Sequence, residues 1–134
     1  MAKTIELKIV TPQKTVYQGT VDDFTAPGVL GPFQVLFNHA AIVSKLQPGL
    51  LRFKETSGAE EHYYVSGGFL ELHENAGTVL ADTAEHSTDI NVAEVEASIE
   101  RLRQRYADHE EGFTNEQFHI ELDAAQARLK VAKS

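Results

Sequence analysis

Cysteine is absent from all 134 residues, so disulfides and thiolate metal sites are excluded. That absence suits a reducing cytosol and leaves the compartment open. Basic residues are scarce, 12 against 20 acidic ones, giving a net charge of −8. A diffuse negative charge repels nucleic acid and anionic bilayers alike, and no basic patch interleaved with aromatics overrides it. No apolar run is long enough to span a bilayer, and the first residues carry neither a signal nor a transit pattern. The expectation is a soluble chain that reaches a membrane only through a partner. No phosphate-cradling glycine loop opens a helix, which excludes a Walker-type nucleotide site. Internal repeats and low-complexity segments are missing as well.

What is present divides into two periods. The length suffices for one sizeable core, or for a core with a small appendage. Before about residue 86 the apolar positions alternate: Ile5, Leu7 and Ile9 interleave with Glu6 and Lys8, the pattern of a half-buried strand. Short strand candidates follow at 16–18, 21–26, 33–37, 42–46, 50–54, 61–66, 69–73 and 78–81. Turn signals separate them at Pro12, Gly19, Pro27-Gly28, Pro48-Gly49, Ser57-Gly58, Gly67-Gly68 and Asn75-Ala76-Gly77. About nine or ten short strands without intervening helices predict an antiparallel β-sandwich or flattened barrel over residues 1–86.

Residues 87–134 read as an antiparallel two-helix hairpin. Asn91 stands where an N-cap belongs, with Glu94 placed as in a capping box; Thr114 and Gln117 repeat the device. Val92, Val95, Ile99, Leu102 and Tyr106 recur along one face of the first helix, and Phe118, Leu122, Ala125, Leu129 and Ala132 along the second. Short isolated helices are marginal in water, so the hairpin is expected to need a docking surface and to be movable.

The most distinctive run spans 26–41: Pro27, Gly28, Gly31 and Pro32 shape a surface loop before an apolar strand, and Asn38-His39 ends it. Phe33 and Phe37 read as core. If Gly67-Gly68 is a hairpin turn, His62 faces His73, but no third metal ligand accompanies them. Ser66, His62 and Asp82 could be drawn as a triad, yet no nucleophile elbow is present. The expectation is no metal site, no catalytic residues and no cofactor.

This run resembles the epsilon subunit of the F-type ATP synthase, and further matching stretches lie at 11–12, 19–21, 46–52, 64–71 and 78–84. The resemblance covers essentially the whole chain. It implies a non-catalytic central-stalk subunit that couples proton translocation through the membrane c-ring to ATP synthesis. The implied partners are the gamma subunit, the polar loops of the c-ring and, through the hairpin, the catalytic beta and alpha subunits. The implied location is peripheral, on the cytoplasmic face of a bacterial inner membrane. A stand-alone adaptor with no rotary role is the alternative; co-purification with a coiled-coil shaft protein separates the two.

The resemblance also assigns residues. Gly28, Val29, Leu30, Gly31 and His39 are the expected c-ring contact, although Val29 stands where many relatives carry Glu. Some relatives bind ATP through an Ile-Asp-x-x-Arg-Ala signature, degenerate here at Ile90, Asn91 and Glu94, while Glu85 and Arg128 match other positions of such sites. Glu94 puts a negative charge where triphosphate would be neutralised, so weak or no ATP binding is expected. Arg128, Lys130 and Lys133 are the candidate inhibitory contacts with the catalytic head. The hairpin carries 6 basic against 10 acidic residues, and its net charge of −4 predicts weak inhibition.

Overall fold

The computed structural model describes residues 3–134. Seven strands precede two helices: β1 Ile5–Val10, β2 Thr15–Gly28, β3 Gly31–Val35, β4 Ile42–Glu55, β5 Glu60–His73, β6 Ala76–Leu80, β7 Ala84–His86, α1 Val92–Ala107 and α2 Asn115–Ala132. A 3-10 turn, Ser87–Asp89, joins the two parts. The strands run in the order β1-β6-β5-β4-β2-β3, and β1 also pairs with β2, so the sheet closes on itself like a barrel. β7 adds to β5 outside that path.

The strand count and the all-antiparallel topology expected from sequence are both corrected. Among the described residues there are seven strands, and β1 runs parallel to β6. Three expected turns lie inside long strands: Gly19 in β2, Pro48-Gly49 in β4 and Gly67-Gly68 in β5. Glycine and proline bend these strands without reversing them. Pro48 falls where the β2–β4 ladder jumps, between Thr25↔Arg52 and Gly28↔Leu46. Gly68 needs to be glycine: its φ is +116°, and a Cβ there would overlap the Leu80 carbonyl oxygen.

Alternation along β1 buries Ile5, Leu7 and Ile9 and exposes Glu6 and Lys8. They join Val21, Phe24, Leu51, Phe53, Val65, Leu70 and Val79 in one core. Phe33 packs against that core, whereas Phe37 lies half-buried in the 36–41 loop and outside the cluster.

Both expected helix caps form: Asn91 Oδ1 accepts from the Glu94 N–H and Thr114 Oγ1 from the Gln117 N–H, each at 3.0 Å. A second cluster unites the helices with the sheet, burying Ile90, Val95, Ile99 and Val131 beside Tyr64, with Leu50 packed against them. Val131 lies off the expected apolar stripe; with Ala127 it lines a cleft shared with Leu50 of β4. Thus α2 has one row for its partner helix and another for the sheet, and its apolar surface is broader than a coiled-coil seam. At the tip, Tyr106 meets Phe118 edge-on, and the Arg105 guanidinium covers Phe113 while bonding Glu110.

Candidate interaction surfaces

The run 26–41 is a hairpin tip followed by a separate loop. Gly28 pairs with Gly31 across a two-residue turn, leaving Val29 half-exposed and Leu30 101% exposed. The Val29 N–H donates to the Lys45 carbonyl at 3.1 Å, tying the tip to β4. Gly31 has φ +126°, and a Cβ on Gly28 would lie 2.8 Å from the Gly31 oxygen, so this tight closure depends on both glycines. In the following loop, the Asn38 N–H donates to Asn75 Oδ1 at 2.7 Å and Asn75 Nδ2 donates to Asn38 Oδ1 at 3.2 Å. That reciprocal pair fixes the 36–41 loop against the β5–β6 turn. His39 Nδ1 lies 2.7 Å from the Ala40 carbonyl. A carbonyl only accepts, so Nδ1 carries the proton and Nε2 is the acceptor in the neutral ring.

A surface that sequence reasoning missed lies on the outer side of β4, β5 and β6. Lys45, Phe69 and Leu80 stand in one cross-strand row, and Val43, Glu71 and Thr78 in a parallel one. Val43 is 73% and Phe69 49% exposed. Two shallow clefts flank them: one of about 450 Å³ beside Pro12, Gly67 and Leu80, the other of about 580 Å³ beside Ile42, Leu72 and Ala76. The available signal was phase: Leu70 and Leu72 face the core, so Phe69 falls on the solvent side of β5.

The positions of the degenerate ATP motif meet at the junction of sheet and hairpin. Arg128 of α2 donates from Nε and Nη2 to the two carboxylate oxygens of Glu85 on β7, at 3.0 and 2.9 Å. This hydrogen-bonded pairing raises the Arg128 pKa against the opposing effect of burial. Burial also raises the pKa of neighbouring Tyr64, partly offset by the Arg128 charge. Ile90 is buried, Asn91 is occupied as a cap, and Glu94 is an exposed carboxylate in the first turn of α1. One residue beyond Glu85, His86 bonds Glu61. Its Nδ1 accepts from the Thr88 N–H at 3.2 Å, so Nε2–H is the donor to Glu61.

The remaining candidates are dispersed. Because β5 is continuous through Gly67-Gly68, His62 and His73 occupy separate points of one strand and do not face each other. His62 Nδ1 lies 2.7 Å from Ser134 Oγ, while Ser66 Oγ accepts from the Thr83 N–H, so the drawn triad does not assemble. Among the described residues there is no metal-holding cluster of His, Asp and Glu, and no helix is long and apolar enough to cross a membrane. Lys133 pairs with Glu96 across the hairpin at 3.7 Å, and Lys130 lines the cleft beside Arg52.

Residues 4–87 match the model of the ATP synthase delta/epsilon chain β-sandwich domain. The ATP synthase epsilon chain of Syntrophomonas wolfei is 33% identical over 130 residues, covering 97% of this chain and 95% of the relative. That of Anaeromyxobacter dehalogenans is 40% identical over 131 residues, covering 96% and 97%. A chain in the Euglena gracilis mitochondrial ATP synthase structure superposes with a TM-score of 0.85 at 22% identity, covering 98% of this chain and 82% of that one. A second, in the central stalk and c-ring structure from Tetrahymena thermophila, gives 0.62 at 17% identity, with 96% of each chain covered. At those identities the two structures speak for the fold, and the sequence relatives speak for the lineage. The chain belongs to the ATP synthase delta/epsilon family, among its epsilon chains.

Proposed function

We propose that this chain is the non-catalytic epsilon subunit of a rotary ATP synthase, seated on the central stalk and helping to couple proton flow to ATP synthesis. One observation carries the docking role: the apolar patch of Val43, Phe69 and Leu80, drawn from two adjacent cross-strand rows, lies open on a chain of net charge −8. Exposed apolar patches of this kind mark interaction sites. This patch is the seat of the rotor shaft, the gamma subunit. The Val29-Leu30 tip and the loop bearing His39 rest on the polar loops of the c-ring, with Leu30 as an apolar contact where relatives place charge nearby.

Residues 87–134 form a regulatory element in this reading, able to leave the barrel and approach the catalytic beta and alpha subunits. Membrane attachment is peripheral, through the complex, at the cytoplasmic face of a bacterial inner membrane. The test is assembly: purified chain mixed with the shaft subunit and then with the c-ring should form a stoichiometric complex in size-exclusion chromatography. Failure to associate with either would sink this assignment.

A further inference from the structure

β7 is only three residues long, Ala84–His86, and pairs with a single strand. Its neighbours on β5 alternate in direction, as strand residues do. Tyr63, opposite His86, belongs to the barrel core, whereas Tyr64, opposite Glu85, belongs to the cluster that seats the hairpin. The side chains of β7 follow the same alternation. His86 reaches Glu61 and stands edge-on to Tyr63, with ring centroids 5.0 Å apart. Glu85 reaches Arg128 on α2. Ala84 packs against the barrel core, and Thr83 is tied to Ser66 through both its N–H and its carbonyl. Beyond His86 the backbone ties are local: the Thr88 N–H donates to His86 Nδ1 at 3.2 Å, and the Ile90 N–H to the Ser87 carbonyl at 3.4 Å.

We infer that β7 is a two-sided strap, pinned to the barrel by His86–Glu61 and holding the hairpin by Glu85–Arg128, so that the hairpin pivots within residues 87–91. Both clasps sit on adjacent residues, yet of the two only Glu85–Arg128 must open for the helices to leave, together with the His62–Ser134 contact between β5 and the end of the hairpin. The bidentate pair spans the moving boundary, whereas the His86 pair lies wholly on the barrel side. Release therefore exchanges one charge-assisted pair, the His62–Ser134 hydrogen bond and the packing of Val131 and Ile90 beside Tyr64 and Leu50 for solvent, and leaves the seven-stranded sheet intact.

Hairpin release belongs to the proposed regulatory role, but the strap can be tested in the isolated full chain without any partner. Amide hydrogen exchange would be compared in the unmodified chain, Glu85→Gln and Glu61→Gln. With Glu85→Gln, amides of α1 and α2 should exchange roughly tenfold faster or more, the effect of losing a charge-assisted pair. Protection of residues 84–86 should be unchanged. With Glu61→Gln, protection of residues 84–86 should fall. The charge swap Glu85→Arg with Arg128→Glu should restore helix protection, and Arg128→Lys replaces Glu85→Gln if the latter does not fold. Equal loosening of β7 and the helices in Glu85→Gln would overturn the pivot, and unaltered helices would overturn the latch. Undiminished β7 protection in Glu61→Gln would overturn the pin.

Discussion

Arg128 and Glu85, 43 residues apart in the chain, hold each other by two hydrogen bonds across the boundary between barrel and hairpin. Each satisfies the charge of the other inside the chain, so neither is left to recognise an external triphosphate. Glu94 adds to the negative field that Arg128 experiences. Titration of the isolated chain with ATP should accordingly show no saturable binding below millimolar concentrations. Replacing Asn91 with Asp keeps a capping oxygen, and replacing Glu94 with Arg reverses the unfavourable charge; together they should strengthen binding. Micromolar affinity in the unmodified chain would refute this reading of the junction.

The barrel core contains no residue of α1 or α2. A chain ending after His86 should therefore retain a cooperative thermal transition, although Leu50 and Tyr64 lose their cover. It should also keep its affinity for the shaft subunit, because Val43, Phe69 and Leu80 all lie within it. A monomeric truncated chain with no transition would show that the barrel needs the hairpin to fold.

Alternation in β1 and the caps at Asn91 and Thr114 were legible because each depends on residues a few positions apart. At Gly19, Pro48-Gly49 and Gly67-Gly68 the sequence signals a reversal where the strand only bends, since glycine and proline mark both events with the same chemistry. The parallel pairing of β1 with β6 joins strands far apart in sequence, and no local pattern encodes it. Glu85 and Arg128 stood out individually through the resemblance, but their mutual pairing follows from where β7 places α2. Val131 was missed because two apolar rows overlap on α2, which hides the second from a single-stripe reading. Phe69 was visible as a strand residue; its outward direction needed the phase of Leu70 and Leu72.

Burial, reinforced by Glu55, Tyr63 and Glu61, pushes the Tyr17 hydroxyl up from 10.0 to about 12. The folded state thus keeps its proton after the unfolded chain has lost it. Stability from this group is whole below pH 10.0 and declines as pH rises towards about 12. Thermal melts should show this alkaline loss, and Tyr17→Phe should flatten it. An equally steep decline in Tyr17→Phe would assign the effect elsewhere.

Inhibition of ATP hydrolysis by the hairpin should be weak in a reconstituted complex, because its 10 acidic residues outnumber its 6 basic ones. What inhibition exists should be relieved by neutralising Arg128, Lys130 and Lys133 together, and by added salt. Arg128→Gln also opens the clasp with Glu85, so Lys130→Gln with Lys133→Gln is the cleaner comparison. Hydrolysis unchanged on deleting residues 87–134 would remove any inhibitory role from this hairpin.

The docking patch is tested most directly by the dissociation constant of the complex with the shaft subunit, measured for the unmodified chain and for Val43→Asp with Phe69→Asp. Both side chains are exposed, so the barrel should fold and melt nearly as before. Charges placed in a desolvated apolar contact should weaken the complex on the order of a hundredfold or more. Undiminished affinity with an intact fold would contradict the assignment of this face to the shaft.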